Sequence, residues 1–321
     1  MAVTRISDVV VPELWTPNFL LEDPALVAFF NSGLVQRDAQ IDAFAKGEGS
    51  VYHIRHLNDL ENVAENISND DPADKSTPNK ITSGEQRAVK LMRNNSWSSM
   101  DLVAALVDPD PVAAIRSRIA NYWARRFQAN VISEAKGILA DNVANNGGDM
   151  LTTVAGTIDG GAFIDATAQM GDASGVLNGI VMHSKQYADL QKAQLIEYMR
   201  DADANINFPT YLGKRVVVDD GMPVEGAGTD RVFTAILFAA GAFRMGVGSL
   251  KTPTEVQRIP DAGNGEGQEV LYSRQHWIMH PRGFSVDAAL SNPTNAQLEL
   301  ANSWDRVFGR KQVPFAFLKT K

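Results

Sequence analysis

The sequence predicts an α+β protein. Three observations carry that expectation. Residues 111–144 hold one long helical period. After Gly148, short apolar runs and short amphipathic patterns follow one another without the regular alternation of a doubly wound sheet. Near the C-terminal third, two strand-like runs flank the glycine-rich loop "PDAGNGEGQ".

The elements follow in order. Residues 1–46 read as an arm. "VVVPELWTPNFLLEDPALVAFF" is apolar, yet Pro12, Pro17 and Pro24 interrupt it. Each proline fixes φ and removes a donor, so only short turns such as Ala25 to Phe30 are expected. Trp15, Phe19, Phe29 and Phe30 need a partner surface, on their own domain or on a neighbour.

Residues 47–95 read as an extended two-limbed excursion. "GEGSVYHIRHL" predicts a strand entered from a glycine turn. From Asp59 to Asp74 there are six carboxylates (Asp59, Glu61, Glu65, Asp70, Asp71, Asp74) and no basic residue. From Lys75 to Arg93 come Lys75, Lys80, Arg87, Lys90 and Arg93, opposed only by Glu85. Such segregation is either a solvated excursion or a projection that docks by charge.

The long helix begins at a predicted Asp cap, Asp108 or Asp110, with Pro109 or Pro111 at its first position. Val112, Ile115, Ile119, Tyr122, Trp123, Phe127, Val131 and Ile138 set its period, and "NNGG" at 145–148 stops it. Arg116, Arg118, Arg125 and Arg126 lie on its first half with no acid among them. They face nucleic acid, partner carboxylates, or structural ion-pair partners.

Beyond Gly148, "FIDATAQM" predicts a short helix and "GIVMH" a buried strand. "SKQYADLQKAQLIEYMRDAD" predicts one amphipathic helix capped by Ser184, with Tyr187, Leu190, Leu195, Tyr198 and Met199 inward. "RVVVDD" predicts a strand closed by "GMP", with an Asx turn at Asp219 and Asp220 favoured over an acid/base pair. "VFTAILFAAGAFRMGVG" predicts a strand pair or one bent strand. "TPTEVQRI" and "QEVLYSRQHWIMHPRGFSV" predict a long hairpin.

His276 and His280 fall in the second of these strands. Four strand residues separate them by about 13 Å, too far for one metal. His53 and His56 face opposite sides of a strand. A site completed by Asp or Glu from elsewhere stays open.

Composition bounds the rest. The 321 residues are 44% hydrophobic, enough for a sizeable core, and carry a formal charge of −8 with a pI near 5.2. That argues against a dedicated nucleic-acid binder. With no cysteine, disulfides, cysteine-ligated metals and cysteine nucleophiles are excluded, and a cytoplasm-like compartment is expected. No apolar run approaches a membrane span, and no signal peptide opens the chain. Phosphate-loop, nucleophile-elbow, zincin and dinucleotide signatures are absent. No catalytic, cofactor-binding or metal residue is assigned, and the weight shifts to a structural role.

The order of parts resembles the major capsid protein of tailed double-stranded DNA bacteriophages, with the HK97-like fold. "GKRVVVDDGMPVEG" looks like that family's strand closing on Met-Pro, here Met222 and Pro223. "ILFAAGAFRMGVG" is similar to the strand that follows, and "VQRIPDAGNGEGQEVLYSRQHWIMHPRGFSV" to the peripheral hairpin. "NPTNAQLELANSWDRVFGRKQVPFAFLKTK", with Trp304, resembles the tail of one coat-protein subfamily.

The resemblance implies an N-terminal arm (1–46) and an extended loop (47–95) lying over an adjacent subunit. It implies a peripheral domain with a long spine helix (96–149 and 245–290), an axial domain (150–244) and a C-terminal segment (291–321). It implies hexamers and pentamers in an icosahedral shell around DNA, assembled in a host bacterial cytoplasm, with portal and decoration partners, no cofactor and no enzyme activity. An arm that opens at Met1 implies a separate scaffolding protein. Lys75 and Lys80 lie in the loop through which some relatives crosslink, but no partner asparagine or acid is evident, so no crosslink is expected. Two rivals remain: an encapsulin-type shell around a cargo enzyme, and a hydrolase using Asp219, Asp220 and a histidine.

Overall fold

The computed structural model describes residues 32–60, 62–73, 75–106, 111–200 and 207–321. Trp15, Phe19, Phe29 and Phe30 of the arm, its Ala25 to Phe30 turn and the caps Asp108 and Asp110 lie outside these residues.

The described chain opens with β1 (Val35–Arg37) and α1 (Ala39–Lys46). Asp38 caps α1, accepting from the Gln40 amide at 2.8 Å. β2 (Val51–Leu57) runs outward and β3 (Ser83–Met100) returns antiparallel to it, from Leu57 opposite Ser83 to Val51 opposite Val89. α2 (Asp101–Leu106) and α3 (Pro111–Asn145) follow. α3 has 35 residues, and Gly147 and Gly148 stop it at φ 64° and 70°, a region open to glycine.

The middle of the chain builds β4 (Leu151–Thr153), α4 (Gly160–Ala168), β5 (Gly179–Met182), α5 (Ser184–Lys192) and β6 (Glu197–Arg200). It continues through β7 (Asn207–Tyr211), β8 (Lys214–Val218), β9 (Val224–Glu225) and β10 (Val232–Phe238). The last part is β11 (Phe243–Val247), β12 (Thr254–Ile259), β13 (Gln268–Pro281), β14 (Phe284–Val286), α6 (Asn295–Leu298), β15 (Trp304–Arg306) and β16 (Phe315–Thr320).

Two large sheets result. One runs β1-β11-β13-β3-β2, with β12 also on β13. The other runs β4-β16-β10-β5-β8-β7-β6, with β9 on β10. α3 packs between them. One core holds Trp123, Val131 and Ile138 of α3, Leu91 and Trp277 of the first sheet, and Ile236, Phe238, Phe315 and Phe317 of the second. The period of two then divides the second sheet. Ala235, Leu237, Ala316 and Leu318, the alternate residues of the same strands, bury under α4 and α5 in a separate cluster. Such strands read as continuous apolar runs because both faces are covered.

Several expectations change. The helix foreseen from Ser184 through Met199 ends at Lys192, and Glu197–Arg200 is a strand on β7. Gln194 turns at φ 56°, and the Leu195 amide bonds back to the Leu190 carbonyl, which closes the helix. Its cap is His183, not Ser184: the imidazole Nδ1 accepts from the Lys185 amide at 3.1 Å. The two halves of "VFTAILFAAGAFRMGVG" belong to different sheets, with a turn at Gly241 between them. The returning limb of the excursion is ordered strand from Ser83 onward. Residues 35–46 join the first sheet, β1 parallel to β11 and Ile41 buried.

Candidate assembly surfaces

The β2–β3 hairpin carries residues 58–82 away from its last rung as an exposed excursion with no helix or strand among the described residues. Its apolar side chains lie open: Ile67 is 91% and Leu60 69% accessible. Asp59, Glu65, Asp70 and Asp71 are exposed and enter no ion pair among the described residues.

The basic limb is less available than its composition implies. Arg87 donates to the backbone carbonyls of Asp287 and Leu290, the latter at 2.9 Å. Arg93 donates to the Asn292 side chain at 2.5 Å and to the Pro293 carbonyl. Lys90 is buried; its Nζ donates to the Gly47 carbonyl at 2.7 Å and sits over the Tyr52 ring. Three of the five cations therefore tie β3 to the body of the chain, leaving Lys75 and Lys80 exposed.

A second surface lies on α3. Ile119, Trp123 and Phe127 with Val256 and Leu271 line a groove of about 730 Å³, with Arg116 and Glu255 beside it. Arg116, Arg125 and Arg126 form no ion pair among the described residues. Beside the groove, Arg93 and Arg126 meet at a smaller recess of about 120 Å³. Burial, and then the nearby charge of Arg126, lower the pKa of Arg93. The recess joins residues of β3, α3 and β13, and only the run of arginines on α3 announced it in the sequence.

The histidines of β13 are strand residues as expected. His276 lies opposite Met92 and His280 opposite Arg244. His280 is buried, with Nε2 3.1 Å from the Gln86 side-chain oxygen. His53 stands 3.4 Å from Glu85, and His56 packs edge-on to Phe308. Among the described residues no three metal-ligating side chains converge.

The acid pair at the end of β8 has a histidine beside it, but its groups are committed elsewhere. Asp219 accepts from the Gly221 amide at 2.7 Å, the expected Asx turn, and from the Gln128 side chain of α3. Asp220 accepts from the Ser184 amide at 3.3 Å, and His183 Nε2 lies 3.9 Å from it. Burial raises the Asp219 pKa, while the Ser184 hydrogen bonds hold Asp220 below the usual range. The cluster joins α5, β8 and α3. It presents a helix cap and a turn, with the Ser184 hydroxyl 3.4 Å from His183 Nδ1.

The profile of a family described as Gp13-like, major capsid protein 13-like, matches residues 58–313. The major capsid protein of Bacillus phage SPP1 is 41% identical over 322 aligned positions, covering 98% of this chain and 97% of that protein. The cyanophage Pam1 capsid asymmetric unit superposes with a TM-score of 0.61 at 11% identity, over 100% of this chain and 99% of that one. The capsid of Ralstonia phage GP4 gives 0.61 at 12% identity, over 100% and 98%. At those identities the solved structures speak for the fold, which is the HK97-like fold of phage capsid proteins.

Proposed function

Because the chain belongs to the Gp13-like family of major capsid proteins, we propose that its copies close into an icosahedral shell of hexamers and pentamers around double-stranded DNA. It is a structural protein of a tailed-phage shell and not an enzyme, which sets aside the hydrolase and encapsulin readings. The single observation that carries this is the 41% identity to a phage major capsid protein along 98% of the chain.

The finer reading assigns 1–46 as the arm and 47–95 as the loop that overlaps an adjacent copy. Residues 96–149 with 245–290 are the peripheral domain, 150–244 the axial domain and 291–321 the C-terminal segment. β1 and α1 support a short root for the arm inside the first sheet, and β16 supports treating the C-terminal segment as part of the second. The exposed apolar and acidic side chains of 58–82 support the overlap. A separate scaffolding protein, a portal, decoration proteins and non-specific DNA contact complete the proposal, with assembly in the host cytoplasm.

Light scattering and negative-stain microscopy test it, on the protein alone and with its neighbouring genes. Closed shells or capsomer rings are expected. A monodisperse monomer or dimer under every condition would overturn the reading.

A further inference from the structure

In the recess between β3 and α3, two guanidinium groups face a shared cavity. Arg93 and Arg126 border it together with Asn94, Asn295 and Tyr122. Arg93 is held in place from behind by Asn292 and Pro293, so its position does not depend on an occupant. Arg126 has no hydrogen-bond or ion-pair partner among the described residues. The Tyr122 hydroxyl already accepts from the Asn95 side chain at 2.8 Å, which leaves its proton to donate. The site offers several donors and two positive charges in a chain whose net charge is −8.

Resting on the shell reading, we propose that this recess is an oxyanion seat that takes a side-chain carboxylate from the acidic limb of a second copy's hairpin. Three features of the molecule select that occupant. The limb from Asp59 to Asp74 carries carboxylates and no base, and its exposed Asp59, Glu65, Asp70 and Asp71 have no ionic partner among the described residues. Its exposed Leu60, Val63 and Ile67 match the apolar groove of Ile119, Trp123, Phe127 and Val256 next to the seat. A cavity of about 120 Å³ admits one carboxylate on a pliable chain. Duplex DNA, stiff over about 50 nm, offers its phosphates on a broad convex surface that suits open arginines better than a recess. Arginine paired with carboxylate in a partly desolvated pocket gives short, charge-assisted hydrogen bonds.

The test is a charge swap in the full chain, read as closed-shell yield at low salt, with circular dichroism confirming folded subunits. Arg126→Glu is expected to cut the yield at least tenfold. Combining it in turn with Asp59→Arg, Glu65→Arg, Asp70→Arg or Asp71→Arg is expected to restore the yield to within twofold in one case. Wild-type yield from Arg126→Glu with unchanged duplex binding overturns the seat while leaving the shell reading standing; failure of all four double variants overturns the second-copy occupant. Normal shells that lose duplex binding would assign the seat to phosphate and overturn the second-copy occupant. No shells from the wild type would sink both readings. Because the chain has no cysteine, a second measurement does not depend on Arg126. Chains with Asn94→Cys mixed with chains carrying a limb cysteine at each of the four acidic positions should give one disulfide-linked pair on oxidation. No linked pair across all four overturns the proposal.

Discussion

His280 sits on β13 with its ring buried and one nitrogen near Gln86. Burial, and then the charge of Arg244, lower its pKa from 6.5 to about 4. The unfolded chain therefore takes up a proton below pH 6.5 that the folded chain refuses until about pH 4. Stability is full above that window and falls as pH drops through it, by on the order of 3 kcal/mol. Urea midpoints of the unassembled chain at pH 7 and pH 5 should show this decline, and His280→Gln should reduce it. An unchanged slope in the variant would place the proton elsewhere. Glu134 on α3 has the opposite sign. It is buried, its Oε2 has no partner among the described residues, and burial alone drives its pKa well above 4.5. The folded carboxyl keeps its proton while the unfolded one ionises, so stability is lost as pH rises above 4.5. Glu134→Gln should stabilise the chain at pH 8 by roughly 1–3 kcal/mol and change little at pH 4. Destabilisation at both pH values would mean the acid makes a contact that the amide cannot replace.

At the scale of elements, α3 depends on one missing side chain. A Cβ at Gly137 would overlap the Leu298 carbonyl oxygen and the Trp304 indole, which are themselves joined by a 2.7 Å hydrogen bond. Glycine inside a helix costs about 1 kcal/mol relative to alanine. Here the cost secures the close approach of the C-terminal segment. Gly137→Ala is therefore expected to lower stability by about 1–3 kcal/mol despite its better helix propensity, measured as a lower Tm of the subunit. A raised Tm would show that the segment can move aside. The same scale explains which elements were legible. α3 showed its period over 35 residues and its glycine stop. The β12–β13 hairpin was announced by its glycine-rich loop, and the Asx turn at Asp219 by its dipeptide. α5 was overextended because the apolar spacing continues through Tyr198, whereas the stop is a left-handed Gln194, which no glycine or proline signals. The length of β3 was missed for a different reason. Its partner along Lys90 to Met100 is β13, far along the chain, and no local pattern specifies that pairing.

For the whole molecule, the excursion beyond the β2–β3 hairpin stands apart from the packed core. The described residues of 58–82 are exposed apart from half-buried Thr82, and they lie beyond the last rung of the β2–β3 ladder. Replacing residues 60–80 with a short turn should leave the subunit Tm within about 1 kcal/mol of stability, since surface changes away from packed groups are near neutral. Shell formation should be lost. Shells of normal yield would show that the excursion is not a clamp between copies. The reversal Lys75→Glu with Lys80→Glu addresses only the cations left exposed once Arg87, Lys90 and Arg93 are tied to the body. It should weaken assembly at low salt and matter little at high salt, where screening shortens the reach of exposed charge.

The sequence by itself determined the class of the protein, the long helix, the β12–β13 hairpin, the acidic limb and the family. These are written in local period, turn chemistry and the order of motifs, which survive without knowledge of long-range contacts. Only the tertiary structure decided which cations are free, where α5 ends, how β10 and β11 part into two sheets, and that Arg93 and Arg126 share a recess. Those outcomes depend on which distant residues come to lie side by side. Burial and pairing energies are properties of that arrangement and have no signature in any short stretch of chain.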